Sequence, residues 1–263
     1  MTTKIVMDKK PKLKNPIFIE GLPGVGNVGR IAAGYLVEEL KAKKFAELYS
    51  SHFMPFVLMH ESSSVHVLKN EFFYWKGGKG QRDIIFLVGD SQSIDPEGHY
   101  EIAEEILDFI HSLGVREMVT LAGLSIGEMK EKPKVIGAVS SPELAKKYAK
   151  YGINFQAGGK VGTIVGASGL LIGLGEVKGI KGICLLGETV GYPIIPDPKS
   201  AESILTVLTK ILNIRIDTKK LEKKIKEMEE FIKKVEDVQR RAMGQLIKMP
   251  EKIGDKDQLS YIG

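Results

Sequence analysis

Five short apolar runs recur along the chain, Ile17 to Ile19, Ile84 to Val88, Met118 to Ala122, Val135 to Val139 and Ile183 to Leu186, each bounded by glycine or polar residues. Polar and apolar positions hardly alternate inside them. That is the pattern of strands buried on both faces, and such a sheet requires a layer of helices on each side. Ile31 to Leu40, His99 to Ser112 and Pro142 to Tyr151 read as helices of those layers. Asp95-Pro96-Glu97 is a strong entry to the second of them, with a side-chain acceptor, a fixed φ and an early acidic charge. Phe53 to Tyr74 differs: Val57, Met59, Val65, Val67, Phe72 and Tyr74 stand at near-alternating positions and read as a β-hairpin. The expected fold is an α/β body of three layers around a mixed, mostly parallel sheet.

Thr163 to Leu174 is small and apolar on nearly all faces, but at about 12 residues it falls short of the roughly 20 that a bilayer needs, so it reads as a helix buried in the body. Asp197-Pro198-Lys199-Ser200 opens a helix to about Leu212, which closes a body expected over residues 1–213. A long amphipathic helix is expected over 214–248. Within it Leu221, Ile225, Met228, Ile232, Val235, Gln239, Ala242 and Leu246 follow a four-three heptad spacing. Roughly 30 residues at 1.5 Å each make a rod of about 45 Å, longer than a small domain is wide. Its apolar seam, Leu221, Ile225, Met228, Ile232 and Val235, is flanked by Lys223, Lys224, Glu229 and Glu230 and needs a cover. The cover is either the chain's own sheet or a second copy, and the helix taken alone favours neither. Pro250 ends the helix, and residues 249–263 are expected to be a flexible tail closing with Leu259-Ser260-Tyr261-Ile262-Gly263.

A single cysteine, Cys184, excludes a disulfide framework and a cysteine-based zinc site within one chain, and suits a reducing compartment. No apolar stretch follows the lysines of Met1 to Lys14, so no export signal is read there and a cytoplasmic location is expected. The 38 basic and 33 acidic residues are interleaved and only 7% of residues are aromatic, so neither nucleic acid nor a membrane is an expected partner.

Three motifs invite a chemical reading. Gly24-Val25-Gly26-Asn27-Val28-Gly29 matches G-x-G-x-x-G between a strand and a helix, but no acidic residue ends the next strand, Phe45 to Tyr49, to hold a ribose. We read Gly24, Gly26 and Gly29 as a structural turn. Gly123-Leu124-Ser125-Ile126-Gly127 matches a nucleophile elbow, yet His52, His60, His66, His99 and His111 all precede Ser125, against the order that fold requires. Gly159-Lys160 lacks the first glycine and the hydroxyl of a phosphate loop. The histidines have no metal-ligand spacing and read as lone surface residues, so no metal is expected. Asp90, Asp95 and Glu188 follow strands, where α/β active sites gather, but caps and turns use the same residues. No catalytic residue is assigned.

Pro16 to Arg30 (PIFIEGLPGVGNVGR), Gly169 to Tyr192 with Gly182-Ile183-Cys184-Leu185-Leu186-Gly187-Glu188-Thr189, and Tyr192 to Ala201 (YPIIPDPKSA) together resemble the archaeal branch of the proteasome assembly chaperone family. The resemblance covers roughly residues 14 to 245. It implies a phosphorylase- or Rossmann-like body without known catalytic residues or a cofactor, acting as an oligomeric scaffold or cap on the α-subunit ring of the core proteasome. In that setting the chain would be an assembly chaperone or an ATP-independent activator, and the resemblance implies that a second copy covers the heptad seam in a homo-oligomer, with a tetramer as the working choice. Proteasome activators of several kinds dock through a terminal hydrophobic-tyrosine-any triplet; here Tyr261 stands third from the end, one residue out of that register. On this resemblance Leu259, Ser260, Tyr261, Ile262 and Gly263 are the expected partner-binding residues. The alternative is a small-molecule enzyme holding a phosphate or carboxylate on the Gly24 to Gly29 turn.

Overall fold

The computed structural model describes residues 2–59, 62–128, 130–155, 162–191, 196–217, 220 and 223. The heptad seam (Leu221, Ile225, Met228, Ile232 and Val235) and the terminal residues Leu259, Ser260, Tyr261, Ile262 and Gly263 lie outside the described residues. Along the chain come β1 (Lys4–Met7), β2 (Ile17–Gly21), α1 (Val28–Glu39), β3 (Lys43–Tyr49), β4 (Val57–Met59), β5 (Val65–Val67) and β6 (Asn70–Trp75). There follow β7 (Ile84–Gly89), α2 (Pro96–Ser112), β8 (Glu117–Ser125), β9 (Val135–Val139), α3 (Pro142–Tyr148), α4 (Ala167–Val177), β10 (Lys181–Thr189) and α5 (Pro198–Leu212).

Eight strands form one sheet in the order β1-β3-β6-β7-β2-β8-β10-β9, and β4 and β5 form a separate two-stranded sheet. The central β7, β2, β8 and β10 are parallel neighbours. Antiparallel partners extend the sheet on both sides, β6, β3 and β1 beyond β7 and β9 beyond β10. Alternate residues of each central strand enter opposite layers. Ile17, Ile19, Val119, Leu121, Ile183 and Leu185 pack with α1 and α5, whereas Phe18, Ile85, Leu87, Met118 and Leu186 pack with α2 and α4. Both sets are apolar because both faces are covered, which is why the runs lack alternation. The chain is an α/β protein with a mixed sheet.

Three local readings change. The hairpin is confined to β4 and β5, because Phe72 and Tyr74 belong to β6, paired between β3 and β7. Phe72 is buried against Phe45 and Phe109 under α2, and a half-covered strand of a large sheet has the same alternation as a hairpin. The helix expected from Thr163 begins only at Ala167, after Gly166 turns the chain at φ +90°. A strand went unread in β1, whose four residues are mostly exposed and begin with Lys4.

Helix α1 lies against the seam of β2 and β8 at van der Waals limits. A Cβ on Gly21 would meet the Gly29 backbone and the Ala33 side chain, and one on Gly29 would run into the Leu121 carbonyl. Gly34, on the same helix, has no atom within 4 Å of its would-be Cβ. Gly29→Ala should therefore destabilise the chain by roughly 3 kcal/mol, the upper end of overpacking costs, while Gly34→Ala should stabilise it by roughly 0.5–1 kcal/mol. Urea denaturation of both variants checks the pair, and effects of the same sign would show that α1 is not seated in this way.

Candidate functional site

All four central strands end at one edge of the sheet, where the loops of an α/β protein collect their ligands and partners. The glycine turn stands there, and the protein's own groups surround it. Gly26 has φ +63°, and a Cβ on it would lie 2.9 Å from Thr189 Oγ1 and 3.3 Å from Asp197 Cβ. The Gly26 carbonyl accepts from Asp197 N at 2.8 Å, and the Gly24 carbonyl accepts from Asn27 N at 2.9 Å. Gln92, in the loop after β7, donates through Nε2 to the Pro23 carbonyl at 2.5 Å and accepts through Oε1 from Ala167 N at 2.8 Å. One amide side chain thus joins this turn to the start of α4, a role the sequence reading missed and that no motif marks.

The polar residues that follow the strands are each engaged. Asp95 caps α2, accepting from Gly98 N at 2.8 Å. Its other oxygen lies 2.9 Å from His52 Nδ1, and His52 Nε2 lies 3.4 Å from Glu101. The Asp95 carboxylate holds the His52 imidazole above its ordinary value, with Glu101 adding to the effect. Asp90 accepts from Lys69 N at 3.3 Å and lies 3.3 Å from His66 Nε2 and 3.7 Å from Arg30. His52 and His66 are therefore not the lone surface histidines expected; each fastens a loop to a carboxylate that its sequence neighbours do not reveal. Glu188 lies inside β10 rather than after it as expected; it accepts from Lys134 N at 2.9 Å and lies 3.6 Å from Lys130. Ser125 ends β8 beside Gly191, and among the described residues no hydrogen bond joins it to a histidine.

Beneath this edge lies a buried carboxylate. Glu20, on β2, is wholly enclosed; Oε1 accepts from Leu22 N at 2.9 Å and Oε2 from Ser168 Oγ at 2.8 Å. Burial pushes its carboxyl up to about 7, with those two bonds and the Leu121 backbone pulling the other way. Thr120 and Cys184 stand beside it in register across β8 and β10, and Thr120 Oγ1 donates to the Ser168 carbonyl at 2.9 Å. Burial pushes the Cys184 thiol up to about 12, so it remains a protonated core group. An acid inside the run Ile17-Phe18-Ile19-Glu20 is the sequence signal for this row.

The same edge gathers exposed apolar side chains. The β4–β5 hairpin projects from it, because β3 runs in the direction of β2 and the hairpin joins the end of β3 to the start of β6. Met54, Phe56, Val57, Leu58, Met59, Val65 and Val67 are exposed by 37% to 76%, and Val165, just before α4, by 90%. Ile94 after β7 and Tyr100 early in α2 complete the set, and only Val6, Met7 and Val177 of the other described large apolar residues are comparably exposed. Exposed apolar side chains gathered at one edge are the kind of surface from which association sites are built.

A three-layer α/β scaffold with an apolar loop edge is thus the class of protein defined by fold and surface. The chain belongs to the PAC2 family, which it matches over residues 18–236. It is 45% identical to PbaB of Pyrococcus furiosus, described as an archaeal proteasome activator, with a TM-score of 0.83 and coverage of 89% of this chain and 99% of that one. It is 31% identical to PbaA of the same organism, an archaeal homolog of proteasome-assembly chaperone, with a TM-score of 0.71 and coverage of 92% and 99%. A relative from Methanocaldococcus jannaschii, the uncharacterized protein MJ1210, is 40% identical over 99% of this chain and 97% of its own length.

Glu20 has a measurable consequence. Its carboxyl titrates near 7 when folded against 4.5 when unfolded, so between those values the folded chain binds the extra proton. This contribution to stability is full below about pH 4.5 and is lost as pH rises to about 7, a fall of roughly 3 kcal/mol. Glu20→Gln removes that slope, and the variant should gain stability over the parent as pH rises from 4.5 to 8. Urea midpoints across that range check it; a difference between the two proteins that stays flat with pH would remove Glu20 from the account.

Proposed function

We propose that this chain is a non-enzymatic proteasome regulator, an assembly chaperone or ATP-independent activator that binds the α-subunit ring of the core proteasome in the cytoplasm. The observation that carries the reading is the likeness to PbaB, at 45% identity across 99% of that activator's chain. The engagement of Asp90, Asp95 and Glu188 in caps and loop ties supports a scaffold over a catalytic centre. The packing of the glycine turn by Thr189, Asp197 and Gln92 supports the structural reading of Gly24, Gly26 and Gly29.

In this reading Leu259, Ser260, Tyr261, Ile262 and Gly263 are the docking element, and Leu221, Ile225, Met228, Ile232 and Val235 contribute to self-association. Several tails on one oligomer enter several pockets of a ring, and linkage of that kind raises avidity by roughly 10² to 10⁴ without any new contact. A tail one residue out of the usual register suffices under such multiplication.

Core particles incubated with the full chain, without nucleotide, provide the test. Binding and the hydrolysis of a fluorogenic peptide should both appear with the parent. Deletion of Leu259 to Gly263 should weaken binding by at least about tenfold, Tyr261→Ala by an intermediate factor, and Ser125→Ala not at all. Undiminished binding and stimulation by the deletion variant would move the contact to the α/β body, and absence of binding by the parent would end the proposal.

A further inference from the structure

The β4–β5 hairpin pairs with no other strand of the described residues. Its register places Val57 opposite Val67, Leu58 opposite His66 and Met59 opposite Val65. Side chains alternate across a strand, so Leu58 and His66 share one face and Val57, Met59, Val65 and Val67 share the other. His66 reaches Asp90 at the end of β7, which turns its face toward the body. The opposite face is turned away and, among the described residues, holds four apolar side chains and no ionisable group, with Met59 exposed by 76%.

Elsewhere the fold protects its strands. The edge of β9 is covered by Asn154, which accepts from Gly137 N and donates to the Val135 carbonyl, both at 2.9 Å. The edge strand β1 carries Lys4 and runs into Asp8-Lys9-Lys10, charges that discourage pairing. Among the described residues the outward hairpin face has no such guard, and a two-stranded sheet alone is marginal in water.

We propose that the outward face of this hairpin is a self-association surface that packs against the same face of a second copy about a two-fold axis. Such an interface must be self-complementary, and an uncharged face of Val57, Met59, Val65 and Val67 meets that condition without any partner of opposite charge. Met54 and Phe56, which line one hollow with Val57 and Val67, extend the exposed apolar surface of each copy toward the roughly 800 Å² per partner of a standard interface. Two hairpins packed face to face become a two-layered sheet with a dry interior, the arrangement that relieves a marginal hairpin. The contact is separate from the carboxyl-terminal seam and does not depend on the proteasome reading.

Light scattering and sedimentation of the full chain at micromolar concentration, with Met59→Glu/Val65→Glu beside the parent, test it. The double variant should keep its far-UV circular dichroism and show half the parent's mass. A second measurement guards against a variant that fails to fold: Met59→Cys treated with a short bis-maleimide should yield a covalent dimer, since the native Cys184 is buried. Val177→Cys, on the carboxyl end of α4, serves as the reagent control and should not. A folded double variant of parental mass, a monomeric parent, or Met59→Cys without covalent dimer each overturns the proposal. Loss of core-particle binding by the double variant at unchanged mass would assign the face to the proteasome instead.

Discussion

The missing side chains of Gly21 and Gly29 let α1 sit on the seam between β2 and β8, and the architecture of the loop edge follows from that approach. With the helix so close, the turn between Gly21 and Val28 has to fold back on itself, and Gly26 takes the left-handed conformation that makes the reversal. The Gly26 carbonyl then meets Asp197 N, and Asp197 in turn caps α5 through Ser200 N at 2.9 Å. The two helices of one layer are joined at their starts. Gln92 extends the junction to the other layer by bridging the Pro23 carbonyl and Ala167 N. A single tight contact between helix and sheet thus organises the floor of the whole edge.

The two ends of the parallel strands differ in how they satisfy charge. At the amino-terminal end Glu117 receives Arg82, Lys147 and Tyr148 together. Burial pushes its carboxyl up, but those three donors outweigh burial and hold it below the ordinary value. Glu20, nearer the carboxyl end, is enclosed with only neutral donors, and burial prevails. Depth and partner chemistry together separate these two acids: Glu20 is fully buried among neutral donors, whereas Glu117 is only partly buried and meets two cations.

Much of the body was legible because both of its periodicities survive in the sequence: unbroken apolar runs for doubly covered strands, and Asp-Pro entries for α2 and α5, whose side chains do cap them. Antiparallel extension was less so. Phe72 in β6 and Val57 in β4 obey the same alternation, and only the tertiary position of α2 decides which one is buried. The G-x-G-x-x-G pattern illustrates a deeper ambiguity. A loop that cradles phosphate and a loop that seats a helix on a sheet require the same absence of Cβ, so the motif reports close approach without saying what approaches. Here the approaching atoms are Leu121 O at Gly29 and Thr189 Oγ1 at Gly26. Gln92, His52 and His66 left no pattern, since each acts through a partner distant in sequence.

Natural chains tend to give up stability where they work, and the departures from ideal packing in this one are unevenly placed. An enclosed carboxylate without a cationic partner and a hairpin with a bare apolar face both weaken the isolated fold, the first by up to about 3 kcal/mol at neutral pH. Both belong to the carboxyl side of the sheet. Glu20 bonds Leu22 N, two residues from the glycine turn, and the hairpin rises from the same loop set. At the opposite end, Glu117 and its three donors leave no comparable debt among the described residues. A folding argument alone supplies no reason for this asymmetry, since the sheet has equivalent helices on both faces and its edge strands β1 and β9 are guarded. An association argument does: apolar surface concentrated on one edge, over a rigid floor, is what a scaffold requires if the partner is to provide the remaining stabilisation.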